Sequence, residues 1–366
     1  MPNFMDRLSG ILTRAVRALA VPVLAVVMAL VIGGVLIILS GADPFAAYAA
    51  LFRGSFGSAV AFGRTLEKAT PLIFSGLAVA FAFRAGLFNI GAQGQLLFGA
   101  MTAAVVGVGV TGLPPLLHAT LALAAGALAG GLWGAIPGAL KVYTGAHEVI
   151  TTIMLNYVAI NITDYLADGP FKDTSPGNIV ARTPEVLDSA KIGAVAGIPI
   201  GILIAMLLAV LTWWLLWRTT LGFEIRTVGL NPNAARYAGM NVARTVVLTM
   251  VLSGVMAGFG GAVETQGVVG RYQPGFNVGL GFDGITVALL GKTHPLGAIP
   301  AALIVGAMKA GSAQMQFDAK VAKEITDVVQ ALLLFFVAAD VIIRKLIRLR
   351  AAPEEKITLS TGWGQH

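Results

Sequence analysis

The sequence contains no cysteine among its 366 residues. That absence excludes a disulfide framework, thiolate catalysis and any metal site built on sulfur. Histidine is scarce as well, and its four scattered copies give a metal centre little support. Charge is the third shortage. Asp, Glu, Lys and Arg make up 12% of the chain, about half of the roughly 25% found in soluble domains. An ordinary soluble enzyme is thereby excluded. Also missing are the alternating segments of about 10 residues that a transmembrane β-barrel needs. Gly291-Lys292-Thr293 ends like a phosphate-binding loop, but the glycine required five residues earlier is Thr286. No other Gly-Lys-Ser/Thr tripeptide occurs, so any ATP-driven work falls to a partner. No Ser/His, paired-Asp or metal-ligand spacing stands out within the apolar runs, and the chain does not read as an enzyme.

What is present is hydrophobic: 57% of residues and a mean hydropathy of +0.82. Apolar runs of about 20 residues recur, each long enough for a roughly 30 Å hydrocarbon layer. The fold class is an all-α polytopic membrane protein with about ten transmembrane or re-entrant helices. The elements lie near 18–40, 69–84, 87–110, 114–140, 147–167, 198–217, 245–264, 281–291, 295–311 and 324–343. Those at 69–84 and 281–291 are short for full crossings. Arg7, Arg14 and Arg17 precede the first run, which exceeds the roughly 7–15 residues of a signal-peptide core and reads as a retained span.

The net charge of +7 is explained by orientation rather than by nucleic acid, since cationic residues mark cytoplasmic loops. With a cytoplasmic N-terminus, the segments 1–17, 84–86, 141–146, 218–244, 292–294 and 344–366 hold 15 of the 25 Lys and Arg. The tail from Arg344 to Arg350 directly follows the last span, and Trp213, Trp214 and Trp217 mark an interface. Both termini are expected in the cytoplasm. Residues 168–197 read as an external loop, either a docking surface or a solvated connector. Within the cytoplasmic loop 218–244, Asn231 can cap a short helix, Pro232 fits its first position and Gly239 can end it. That helix suits a partner's surface or is an ordinary capped loop.

Polar residues inside spans usually face a bundle interior or a pathway. Asn156, Asn161, Asp164, Glu264, Gln266, Asp327 and Gln330 are candidates, with helix–helix hydrogen bonding as the competing reading. Asn161 also begins a glycosylation sequon, buried in an apolar run. His147-Glu148 opens the fifth element, where a carboxylate favours the helix N-terminus. The segment Gly86-Leu87-Phe88-Asn89-Ile90-Gly91-Ala92-Gln93-Gly94-Gln95 ranks above these. Its glycines permit irregular backbone, and Asn89, Gln93 and Gln95 bring uncharged donors and acceptors. Irregular backbone at membrane depth needs protein or a water-filled cavity around it. Gly279-Leu280-Gly281-Phe282-Asp283-Gly284-Ile285 is a partial counterpart in the second half. Paired glycine-interrupted segments of this kind point to broken helices and a site near the midplane.

Phe83 to Gln95 closely resembles the FRAGLFNIGAEGQ signature of permease subunits of bacterial ABC importers, in the nucleoside (simple-sugar) branch of the branched-chain amino acid and ribose permease superfamily. Glu148 to Tyr157, Arg226 to Gly239 and Gly281 to Gly291 match further blocks, so the resemblance covers nearly the whole chain in order. Gln93 departs from the common Glu.

The resemblance implies a single permease domain over 1–366 in the bacterial inner membrane. It implies a second permease of the same family, cytoplasmic ABC ATPases that use ATP and Mg, and an external substrate-binding lipoprotein. No cofactor is bound by this chain itself. Gly229, Asn231, Pro232, Ala234, Ala235, Arg236 and Gly239 would form the ATPase-coupling segment. Phe88, Asn89, Gln93, Gln95, Asn156, Phe282 and Asp283 would line the solute pathway. The resemblance to the nucleoside branch implies a nucleoside as the expected cargo, and the residues agree with it to a limited extent: Phe88 or Phe282 can stack on a base, and uncharged amides suit a neutral solute. A simple sugar such as ribose, and an ion-coupled secondary transporter using Asp164, Glu264, Asp283 or Asp327, are the alternatives.

Overall fold

The computed structural model describes residues 23–195, 197–275 and 279–338. The predicted N-terminal segment 1–17, the tail 344–366 and the ends of the first and last spans lie outside the described residues. Among those described, the helices are α1 (Val23–Leu39), α2 (Pro44–Phe56), α3 (Ala59–Arg84), α4 (Ala92–Gly109), α5 (Pro115–Thr144), α6 (Glu148–Asp168) and α7 (Ile200–Arg218). They continue with α8 (Thr220–Leu230), α9 (Pro232–Tyr237), α10 (Val242–Glu264), α11 (Leu280–Leu290), α12 (Pro295–Ala319) and α13 (Glu324–Ala338). A two-residue hairpin, β1 (Ala194–Val195) and β2 (Ile198–Pro199), pairs antiparallel in the loop before α7. Among the described residues, seven helices are long and apolar enough to cross a membrane: α3 to α7, α10 and α12. The all-α polytopic class follows directly.

The described residues divide into two compact units: 23–55 with 308–338, and 56–307. In the described part of the first, the Tyr48 hydroxyl donates to the Leu30 carbonyl at 2.5 Å. Ile37, Ala47, Met315 and Val321 form a small core, and Arg53 pairs with Asp318 at 3.1 Å across its exposed edge. The second unit carries the predicted site. There α3 is the central helix, and nine-tenths of its apolar window is buried.

Helix α3 begins ten residues before the expected start at 69. Ser58 caps it by accepting from the Ala61 amide at 3.1 Å. Arg64, Glu67 and Lys68 in its first turns lower local hydropathy and hid that start. Helices α2 and α8 were not anticipated, because their mixed sequences form no continuous apolar run. Helices α4, α5 and α10 cross through glycine contacts. A Cβ at Gly126 would lie 2.7 Å from the Gly99 carbonyl oxygen, and one at Gly258 would lie 3.0 Å from Gly130 Cα. Only small residues allow such backbone approach, which is how helices associate in lipid.

The segment after α6 is anchored rather than loose. Thr183 and Val186 donate backbone bonds to Tyr272 and Gly270, Leu187 donates to Gly107, and Ile192 to Gln266. Tyr272 is fully buried beneath it. Glu148 does more than favour a helix start: it forms a buried ion pair with Lys141 at 2.6 Å. His147 is the capping residue, accepting weakly from the Val149 amide at 3.4 Å. Eleven residues make α11 about 16 Å long, so it does not cross a roughly 30 Å layer.

Candidate functional site

The turn after α3 is set by its cap. Gly86 takes φ +70, the amide of Leu87 returns to the Ala82 carbonyl, and that of Gly86 to Phe83. This is a Schellman ending, which needs a left-handed residue and uses glycine for it. The chain then folds back to start α4 at Ala92 rather than at 87.

Asn89 is the hub of that turn, fully buried. Its Nδ2 donates to Gln95 Oε1 at 2.9 Å and to Ser253 Oγ at 2.7 Å. Its Oδ1 accepts from the Gly91 amide at 3.0 Å and from Gln95 Nε2 at 3.2 Å. Ser253, at the midpoint of α10, donates its own hydroxyl hydrogen bond to the Ala78 carbonyl at 2.6 Å. Asn156 on α6 clamps the start of α4 from the other side. Its Oδ1 accepts from the Gly94 amide at 2.8 Å and its Nδ2 donates to the Ile90 carbonyl at 2.9 Å. Gln93 reaches to α11, where its Oε1 accepts from the Gly281 amide at 2.8 Å.

Four predicted pathway residues (Asn89, Gln93, Gln95 and Asn156) therefore come together, and all four are buried and bonded to protein. Asn89, Gln93 and Asn156 satisfy broken-helix backbone at membrane depth, where an unmet amide is expensive, and Gln95 braces the Asn89 side chain. Gln93 uses the side-chain oxygen that Gln and Glu share, so its departure from the signature keeps this bond. The two glycine-interrupted segments paired in the sequence also meet, through Gln93 and Gly281. The other three predicted residues are placed differently. Phe88 packs edge-on to Phe83 with ring centroids 4.7 Å apart. Phe282 is exposed on α11, and Asp283 beside it is half-buried.

Ser253 was missed because one Ser in an apolar helix gives no sequence signal of its partners. A second omission is the outer face of α6. Tyr157, Asn161 and Tyr165 follow one another at helical spacing of four and are all exposed, the tyrosines by 62% and 70%. Asn161 was noted as a polar residue in a span, but its two tyrosine neighbours were not.

The predicted coupling segment is a capped helix. Asn231 Oδ1 accepts from the amides of Asn233 and Ala234, both at 3.0 Å. Pro232 opens α9, and Gly239 follows it with φ +82. Ala234 and Arg236 are exposed, whereas Ala235 and Gly229 are buried. Tyr237, which the sequence did not single out, is 94% exposed. On the same end of the unit, burial and the neighbouring Arg84 cation hold the His294 imidazole below its usual pKa.

Broken helices tied by buried amides, within a bundle of long apolar spans, define a membrane transport subunit. Residues 61–338 match the family described as branched-chain amino acid transport system / permease component, and the chain belongs to that family. It is 40% identical over 336 residues to a guanosine ABC transporter permease of Bacillus subtilis, covering 89% of this chain and 94% of that one. A nucleoside ABC transporter permease of Lactococcus lactis is 34% identical, with 90% and 93% covered. A glucose ABC transporter permease of Haloferax volcanii is also 34% identical, with 87% of each covered. The chain is thus a multi-pass inner-membrane permease rather than an enzyme, and it works in an ABC transporter complex with ATPase and substrate-binding partners.

Proposed function

We propose that the chain carries a nucleoside inward by alternating access, along the outer face of α6 beside a second permease of the same family. The observation that carries this reading is the exposed Tyr157–Asn161–Tyr165 stripe on a 21-residue apolar span. Asn161 and Tyr157 sit at mid-span, where a polar face turned to lipid is unfavourable and one turned to a lined passage is not. Aromatic faces accept a base by stacking, and an amide meets ribose or base edges without demanding charge. Phe282, exposed on α11, is a second aromatic for the route. Asn89, Gln93, Gln95 and Asn156 hold the framework instead of touching solute. Phe88 does likewise through Phe83, and Asp283 borders the framework on α11.

Capture of solute belongs to an external lipoprotein, and ATP with Mg to the cytoplasmic ATPase. On this reading α9 meets the ATPase through Ala234, Arg236 and Tyr237. Gly229, Asn231, Pro232, Ala235 and Gly239 fix its shape. ATP binding then biases a two-state permease. The names of the two nucleoside relatives favour that cargo, and the glucose relative keeps a sugar as the competitor to be measured.

The test is uptake of labelled guanosine by the assembled complex in proteoliposomes. Uptake should require ATP and be competed by unlabelled nucleosides but not by glucose. Guanosine uptake by this chain without an ATPase under an ion gradient would overturn the ATP-driven reading. Competition by glucose alone would move the cargo to sugars.

A further inference from the structure

Arg84 closes α3, and both its backbone and its side chain touch elements far away in sequence. Gly229, near the end of α8, lies against the Arg84 carbonyl so closely that a Cβ there would collide with that oxygen and stand 2.9 Å from the Ala85 carbonyl carbon. Gly86 meets Gly229 in turn, a Cβ on it falling 3.2 Å from the Gly229 carbonyl oxygen. The end of α8 therefore rests on the Schellman turn with no side chain between, and α9 follows it directly through the Asn231 cap.

The side chain runs the other way, to the turn between α11 and α12. Arg84 Nε donates to the Thr293 carbonyl at 3.0 Å, and Nη2 reaches the Lys292 carbonyl at 3.5 Å. Lys292 and Thr293 hold φ of +55 and +52, a conformation that non-glycine residues keep only when their surroundings enforce it. The guanidinium also lies over Trp217, 5.1 Å from its ring centroid. Trp217 carries Arg226 at 5.8 Å and the His294 ring at 5.0 Å. Arg226 in turn donates to the Leu216 carbonyl at 3.0 Å, bracing the elbow between α7 and α8.

We infer that Arg84 is the positioning residue that carries displacement of the α8–α9 segment to both broken-helix turns, 85–91 and 291–294. The inference rests on the reading of α9 as the ATPase-facing lever. One turn leads through Asn89 and Gln93 to the start of α4, and the other ends α11. Arg84 contacts α8 through its carbonyl and the 291–294 turn through its guanidinium, so the two turns shift together. A lysine lacks the planar fork that combines a stack on Trp217 with bonds to two carbonyls.

The test uses the full importer with its binding protein in proteoliposomes, reading ATP hydrolysed per solute taken up and the amount of ATPase that co-purifies. Arg84→Lys and Trp217→Leu should each raise ATP consumed per solute about five- to tenfold, with an unchanged yield of assembled complex. Trp217→Phe keeps an aromatic face and should bring the ratio back to within about twofold of the parent. An unchanged ratio in assembled Arg84→Lys complex would overturn the inference. So would a fall in uptake and hydrolysis that merely tracks the yield of complex. Tyr237→Ala, run alongside, tests the lever separately. It should reduce ATPase co-purification, and full retention with a normal ratio would remove the reading of α9, whereas a failure confined to Arg84→Lys removes the joint alone.

Discussion

The buried amides around Asn89 and the exposed stripe on α6 are chemically alike, yet they face opposite ways. Asn89, Gln93, Gln95 and Asn156 meet backbone amides, a serine and one another inside the unit. Asn161 and its tyrosine neighbours turn outward from a span that is mostly unburied. Asn161 also gives its Nδ2 to the Tyr157 carbonyl within α6 at 2.8 Å, so what separates the two regions is enclosure: the Asn89 group is sealed inside protein, whereas the Asn161 amide stays exposed on the outer face of a span.

Mutation separates the two regions, and the largest effect belongs to the buried one. Asn89→Leu leaves Ser253, the Gly91 amide and Gln95 without a shared partner. Each buried group so stranded costs about 1–3 kcal/mol, so the expected outcome is loss of folded protein and uptake in parallel. Asn161→Leu should instead keep normal expression and thermal stability while guanosine uptake falls about tenfold, as expected for one lost polar contact of about 1.4 kcal/mol. Equal behaviour of the two variants in an expression-normalised uptake assay would erase the distinction.

The smallest effect concerns the segment over Tyr272, which sharpens the comparison by lying outside both regions. Hydrogen bonds from Ser175 hold the Asp173 carboxyl below its usual range, and Lys191 does the same for Glu185 and Asp188. Acids depressed in the folded state stabilise it above their ordinary pKa, and that contribution is lost as pH falls through the folded values. Cleavage of residues 168–199 by an acid-active protease should therefore be flat from about pH 8 to 5 and rise below about pH 4. Glu185 and Asp188 are solvent-exposed and only Asp173 is buried, so the rise should be modest; cleavage that increases already near pH 6 would point to another group.

Much of the fold was legible because apolar runs report spans directly. The shortness of 281–291 reported α11 as well, and the local Asn231-Pro232 to Gly239 pattern reported α9 and its cap. The start of α3 was not legible, because Arg64, Glu67 and Lys68 interrupt the run that hydropathy follows. For the site, residue types were legible and direction was not. Asn89 finds Ser253 164 positions away, and Gln93 finds Gly281 188 positions away. No local pattern encodes such partners. Asn161 was visible as a polar residue, but its membership of an exposed stripe depends on which side of α6 packs against α4.

The lack of cysteine allows a direct measurement of the central claim, since any single introduced thiol is the only one in the chain. Asn161→Cys and the near-isosteric Ser253→Cys, at the buried partner of Asn89, each in the assembled importer, can be treated with a small membrane-impermeant thiol reagent during ATP turnover, with and without guanosine. The account predicts labelling at 161 that guanosine suppresses, and no labelling at 253 under either condition. Guanosine-sensitive labelling at 253 with none at 161 would contradict it.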